Sequence, residues 1–179
     1  MNTMEILIAG FGGQGVLFAG KFLAYAGLIN GRQVSWLPSY GPEMRGGTAN
    51  CSVIISDAPI GSPIVGSPDC LIAMNKPSFD KYQSAVKPGG YILYDSTLID
   101  ANVTRTDVKA LAVPATKLAG ERGLEGLSNM ILAGKFLKEC LPEEIGALEG
   151  ALAKVTPQSK AHLAALNKEA LALGQAYEG

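Results

Sequence analysis

At 179 residues the chain is the size of one ordinary domain with a sizeable core. Its 15 basic and 16 acidic residues leave a formal charge of −1, which offers no electrostatic footprint for nucleic acid or an anionic membrane surface. Only 17% of residues are charged, against roughly 25% in typical soluble chains, so either a sheet buried on both faces or a surface covered by partner chains is expected.

The apolar run Ile6-Leu7-Ile8-Ala9 predicts a first strand, which feeds into the turn Gly10-Phe11-Gly12-Gly13-Gln14-Gly15. Val16 to Asn30 reads as a helix with Val16, Phe18, Ala19, Phe22, Leu23 and Ala26 on its apolar face, ended by Asn30-Gly31. Gly20 and Gly27 weaken its interior and are expected where the helix packs closely on a sheet. Gln33 to Leu37 predicts a second strand stopped by Pro38, and residues 39–47, SYGPEMRGG, carry turn chemistry. Ala49, Cys51, Val53 and Ile55 then alternate with Asn50, Ser52, Ile54 and Ser56. This period of two predicts a strand with one less buried face, antiparallel or at an edge.

APIGSPIVGSP at 58–68 reads as a tethered loop. Cys70 to Met74 is another apolar strand, with Asn75 and Ser78 offering caps for a helix to about Val86. After the turn Lys87-Pro88-Gly89-Gly90, strands are predicted at Tyr91–Tyr94 and Val108–Val113, the latter closed by Pro114. Helices follow at about 115–121, 128–139, 143–154 and 158–176, the last with an apolar stripe of Leu163, Leu166, Ala170, Leu173 and Tyr177. Strands alternating with helices predict an α/β, Rossmann-like fold: one domain over 1–179, a mostly parallel sheet with helices on both faces, and a helical C-terminal region from about 115.

No apolar run approaches the roughly 18 residues of a membrane span. MNTMEI has no basic region and runs directly into the first strand, so no signal peptide is read and a cytoplasmic location is expected. Cys51, Cys70 and Cys140 are odd in number and far apart in sequence, with no C-x-x-C pair; they read as reduced thiols.

Two blocks carry the functional signal. A strand, a glycine turn and a helix start make a pocket of backbone N–H groups at the positive end of a helix dipole. Gly10, Gly12, Gly13, Gln14 and Gly15 are therefore candidates to touch a polar or phosphate-bearing ligand or a partner's backbone, a tight packing turn being the alternative. An ordinary dinucleotide site needs an acid about 20 residues on, to hold the ribose. Here the second strand ends Trp36-Leu37-Pro38-Ser39, and the next acid is Glu43, inside the second block.

That block places Glu43 and Arg45 among glycines and a proline, which favours an ordered contact surface formed by Ser39, Tyr40, Gly41, Pro42, Glu43, Arg45, Gly46 and Gly47. Both blocks follow predicted strands and are expected to meet at the carboxyl edge of the sheet. No catalytic set is read. His162 lies in the alanine- and leucine-rich last helix, Ser39 and Ser96 lack a partner base, G-x-S-x-G and a Walker lysine are absent, and Asp95 reads as a capping or loop residue.

GFGGQGV at 10–16 and SYGPEMRGGTANCSVIIS at 39–56, with PDCLIAMN at 68–75 and Lys81-Tyr82, resemble the gamma subunit of 2-oxoacid:ferredoxin oxidoreductases over essentially the whole chain. The resemblance implies CoA-dependent oxidative decarboxylation of a 2-oxoacid to an acyl-CoA, with reduction of ferredoxin. It implies thiamine diphosphate, magnesium and iron–sulfur clusters carried by partners: alpha and beta thiamine-binding subunits and a ferredoxin-like delta subunit. The gamma part is then inert alone and packs on the thiamine-bearing subunits, with the two blocks at the interface or the coenzyme A approach. Phe11 and the run Gly46-Gly47-Thr48-Ala49-Asn50 are similar to the 2-oxoglutarate and branched-chain branches, with a lean to 2-oxoglutarate. From the residues alone, a stand-alone nucleotide-binding enzyme and a structural homo-oligomer remain open.

Overall fold

In the computed structural model, residues 2–39 and 48–179 are described; Tyr40, Gly41, Pro42, Glu43, Arg45, Gly46 and Gly47 lie outside the described residues. The described strands are β1 (Thr3–Phe11), β2 (Gln33–Ser39), β3 (Thr48–Ser56), β4 (Cys70–Ala73), β5 (Tyr91–Asp95) and β6 (Lys109–Val113). They form one sheet in the order β2-β3-β1-β4-β5-β6. The β1–β4, β4–β5 and β5–β6 ladders are parallel, whereas β3 pairs antiparallel with both β1 and β2. The mostly parallel sheet expected from the alternation of elements is therefore present, interrupted by a single reversed strand inside it.

Two strand expectations need correction. β2 does not stop before Pro38 but runs through it to Ser39, in register with Cys51 and Asn50 of β3. The sheet order makes β2 an edge strand, where a proline facing outward removes no ladder hydrogen bond. β3 is antiparallel, as its alternation suggested, but it is internal, and its less buried face, with Asn50 and Ser52, is largely covered. Cys51, Val53 and Ile55 lie in one core, while Ser52 and Ile54 on the other side are only 8% and 3% exposed. Asn50 and Ser52 share a cleft with Ile64, Val65 and Tyr82, so the 58–68 loop and the helix bearing Tyr82 lie over the face that would otherwise meet water.

The helices are α1 (Val16–Ile29), α2 (Lys76–Tyr82), α3 (Ala115–Glu121), α4 (Ser128–Cys140), α5 (Leu148–Val155) and α6 (Ala161–Ala176). The stretches expected to be helical from 143 and from 158 open as 3-10 turns, Pro142–Ala147 and Gln158–Lys160, before α5 and α6. Asn75 caps α2, its Oδ1 accepting from the Ser78 N–H at 3.0 Å. Helices cover both faces, unequally. Ile6, Ile8, Ile72 and Leu93 join α1, α3, α4, α5 and α6 in the larger core. Leu7, Leu71, Ile92 and Tyr94 meet Phe79 of α2 and Ile99 in the smaller one.

Close approach explains the glycines inside helices. A Cβ on Gly27 would lie 2.8 Å from Ile55 of β3, and one on Gly20 would overlap the Cys51 Sγ, so α1 sits directly on the sheet. α4 and α6 touch backbone to backbone: a Cβ on Gly134 would overlap the Leu171 carbonyl oxygen, and one on Gly174 that of Ile131. Where this pair ends, the buried Lys135 donates to the Tyr177 carbonyl at 2.8 Å and to Glu139 at 2.9 Å.

A second latch joins the C-terminal region to the sheet. The fully buried Glu144 accepts from Arg32 Nη1 at 3.1 Å and from Asn30 Nδ2 at 2.5 Å. A buried ion pair stabilises only when such extra hydrogen bonds satisfy it.

Because the atoms facing Gly134 are main-chain, no rotamer change can relieve an added methyl. Gly134→Ala should cost about 3 kcal/mol of stability, measured by urea denaturation with the slope of the transition unchanged.

Candidate functional site: the glycine corner at the end of β1

β1 delivers the chain to the carboxyl edge of the sheet, where Gly13 (φ 93°) and Gly15 (φ 76°) adopt left-handed backbone that L side chains avoid. Gly15 is the N-cap of α1 and offers no side-chain hydrogen bond to the helix, and the first turn holds no acid. The backbone N–H groups of the turn and the positive end of the helix dipole therefore remain unscreened by carboxylates. Phe11, Gly12 and Gly13 are exposed, Phe11 by 41%.

Gln14 has a role that the glycine pattern did not disclose. Its Oε1 accepts from the Phe11 N–H at 2.6 Å, and its Nε2 donates to the Met74 carbonyl at 3.0 Å. The side chain closes the turn on itself and ties it to the end of β4. A Cβ on Gly10 would lie 2.5 Å from that Oε1. Gly15 is held in turn by α4, where Asn129 Nδ2 donates to its carbonyl at 3.0 Å, and a Cβ there would overlap the Asn129 amide. Of the expected contact residues, Gln14 thus faces inward as a brace, and the exposed Gly12 and Gly13 present backbone to the outside.

The second block meets this corner at its described ends. Phe11, the last residue of β1, is in register with Thr48, the first of β3, and Ser39, the last of β2, with Asn50. Ser39 also lines a cleft of about 450 Å³ with Leu37, Asn50, Ser52, Ile64 and Tyr82, and Asn50 Nδ2 donates to the Tyr82 hydroxyl at 3.3 Å. Asn50 and Tyr82 lie in the motifs that carried the resemblance, but their pairing across 32 residues is visible only in the fold.

This register also removes the geometry of an ordinary dinucleotide site. Such a site places its ribose acid at the end of the strand parallel and adjacent to β1 on the α1 side. Here that position is taken by β3, running the opposite way. Arg32, just before β2, is occupied with Glu144 and Asp57.

The remaining polar candidates are structural. Asp95 is fully buried and accepts from the Thr97 N–H at 3.0 Å and the Thr116 hydroxyl at 2.6 Å. His162 is exposed in the first turn of α6. Burial pushes the Cys51 thiol up to about 12. The Cys70 thiol is also raised, by burial first and then by the neighbouring Cys140 thiol, so the fold brings together two cysteines that are 70 positions apart in the sequence. Thiols held protonated in this way do not suit iron–sulfur ligation, which takes thiolates. Among the described residues no three His, Cys, Asp or Glu side chains gather as a metal site. Buried, protonated Cys51 and Cys70 are therefore poor cluster ligands.

Removing the brace exposes its weight. Gln14→Ala should cost about 1–2 kcal/mol by leaving the buried Met74 carbonyl unpaired, measured as a lowered urea midpoint in the isolated chain.

Comparison with known proteins agrees with this geometry. The family model described as pyruvate ferredoxin/flavodoxin oxidoreductase matches residues 5–177. Ketoisovalerate oxidoreductase subunit VorA of Methanothermobacter thermautotrophicus is 47% identical over 134 residues, 75% of this chain but only 28% of that protein. The 2-oxoglutarate synthase subunit KorC of the same organism is 38% identical over 160 residues, 86% of this chain and 85% of that protein. The crystal structure of the keto/oxoacid ferredoxin oxidoreductase gamma subunit from Geobacter sulfurreducens superimposes with a TM-score of 0.78 at 30% identity, covering 96% of this chain and 95% of that one. The chain belongs to the pyruvate ferredoxin/flavodoxin oxidoreductase family and has the fold of its gamma subunits.

Proposed function

We propose that this chain is the gamma subunit of a multi-subunit 2-oxoacid:ferredoxin oxidoreductase. The complex would decarboxylate a 2-oxoacid oxidatively with coenzyme A, giving an acyl-CoA, carbon dioxide and reduced ferredoxin. The observation that carries the reading is a contrast in coverage. The chain spans 95% of a gamma subunit but only 28% of the VorA polypeptide, where the same unit is one segment of a longer protein. A unit that exists both separately and joined to further sequence is one that works in contact with that sequence.

Thiamine diphosphate with magnesium and the iron–sulfur clusters would then reside on the alpha and beta subunits and the ferredoxin-like delta subunit, supplying the redox chemistry this chain's residues do not suit. The glycine corner and residues 39–47 would be the face toward the thiamine-bearing subunits, bordering the path of coenzyme A. Its exposed apolar side chains support this: Phe11 at the corner, and Leu37 and Ile64, 38% and 67% exposed, along the adjoining cleft. Such residues beside a charge-poor surface favour burial against a partner.

On the substrate, the KorC relatives support 2-oxoglutarate, while the higher identity to VorA sets a branched-chain 2-oxoacid beside it. No helix among the described residues is long and apolar enough to cross a membrane, and a cytoplasmic enzyme is the reading we adopt. The homo-oligomer alternative has only the low charge content behind it.

Co-expression with the neighbouring thiamine-binding and ferredoxin-like subunits should give 2-oxoacid-dependent reduction of a viologen dye that is lost when this chain is omitted. Full activity without it refutes the assignment, and the ratio of rates on 2-oxoglutarate and ketoisovalerate assigns the branch. In that complex Arg45→Ala should weaken assembly or raise the KM for coenzyme A while sparing kcat at saturation. A collapse of kcat with assembly and KM unchanged would place Arg45 in the chemistry instead.

A further inference from the structure

We propose that Cys70 and Cys140 are a peroxide-responsive thiol pair, which closes into a reversible disulfide joining the start of β4 to the end of α4. The inference rests on this chain's own residues, independent of the subunit assignment.

The fold holds the end of α4 over the strands that carry Cys70. Cys70 opens β4 in register with Tyr91 of β5, and Tyr91 is in register with Lys109 of β6. Lys109 Nζ reaches across to Glu139 at 3.2 Å, and Lys135 Nζ holds the other oxygen of the same carboxylate at 2.9 Å. Cys140, the next residue, packs on the core that contains Cys70 and Tyr91, and the two thiols are in hydrogen-bond contact. Cys140 is also the last residue of α4, so drawing its sulfur to the roughly 2.05 Å of a disulfide moves no interior helical turn.

The two members differ in access. Residues 131–137 of α4 are buried, and the helix surfaces only in its last turn, where Lys138, Glu139 and Cys140 are part-exposed. Cys70 has no exposed surface. A peroxide therefore meets Cys140 first. The Cys140 thiolate attacks one peroxide oxygen, the O–O bond breaks, and a sulfenic acid forms as hydroxide leaves. Cys70, already in contact, then attacks the Cys140 sulfur. The S–S bond forms, the S–O bond breaks, and the departing hydroxide takes the Cys70 proton as water. Both sulfurs are oxidised by one electron each and the peroxide is reduced to two waters. The pair thus stops an exposed thiol at a step that a small dithiol reverses, before the irreversible sulfinic acid. Cys51 stands apart: it has no exposed surface, and its sulfur lies under Gly20 of α1.

Treatment of the full chain with hydrogen peroxide, followed by thiol counting and non-reducing peptide mapping, tests this. Two of the three thiols should be lost, a Cys70–Cys140 linked peptide should appear, and dithiothreitol should restore all three. Cys51 should stay reduced. Cys70→Ala should let Cys140 advance to the sulfinic acid, which dithiothreitol does not reverse. Cys140→Ser should leave Cys70 unoxidised at the same dose. Should Cys70→Ala fail to fold, Cys140→Ser and the map of the unaltered chain decide. Sulfinic acid on Cys140 of the unaltered chain without the linked peptide, a disulfide through Cys51 or between two chains, or oxidation of Cys70 in Cys140→Ser overturns the proposal.

Discussion

The functional end of the molecule depends on one hydrogen-bonding constraint: β3 runs antiparallel between β1 and β2. A strand paired antiparallel with β1 must start where β1 ends, so Thr48 lies opposite Phe11. Because β3 also pairs with β2, Ser39 is brought to the same edge. The described ends of the two glycine-dense segments are thus adjacent through ladder register. Had β3 been parallel, its start would lie at the opposite end of the sheet.

The corner so formed is held rigid from behind. Gln14 closes the turn and reaches β4, Asn129 reaches it from α4, and the start of α1 has no side-chain cap on its N–H groups. A backbone surface can be presented in a fixed shape only when its own conformational freedom has been removed, and these side chains do so. The inward bracing and the outward backbone are two sides of one construction.

The low charge content has a partial explanation in the sheet. Both faces are covered, one by five helices and the other by α2 and loops, and strands such as Cys70–Ala73 are buried along their whole length. Parallel strands covered on both faces contain few charges for that reason. What burial inside the chain does not absorb includes the apolar surface at Phe11, Leu37 and Ile64, beside the corner and the cleft, and also that at Leu28, Ile29, Leu98 and Leu166.

The order and type of nearly every element were legible in the sequence, because apolar period, glycine turns and prolines act locally. The strand at 70–74, the Asn75 cap and the end of α1 are readable from their nearest neighbours. The family resemblance was legible too, in motifs contiguous along the chain. Tertiary structure alone decided the position of β3 inside the sheet, the covering of its second face, and the passage of β2 through Pro38. Each depends on which strand lies alongside, a fact no local pattern holds. The same is true of Gln14 bracing β4 and Asn129 bracing Gly15. A side chain's type is written in the sequence, but its hydrogen-bond partner, 114 positions away in the case of Asn129, is assigned only when the chain closes on itself.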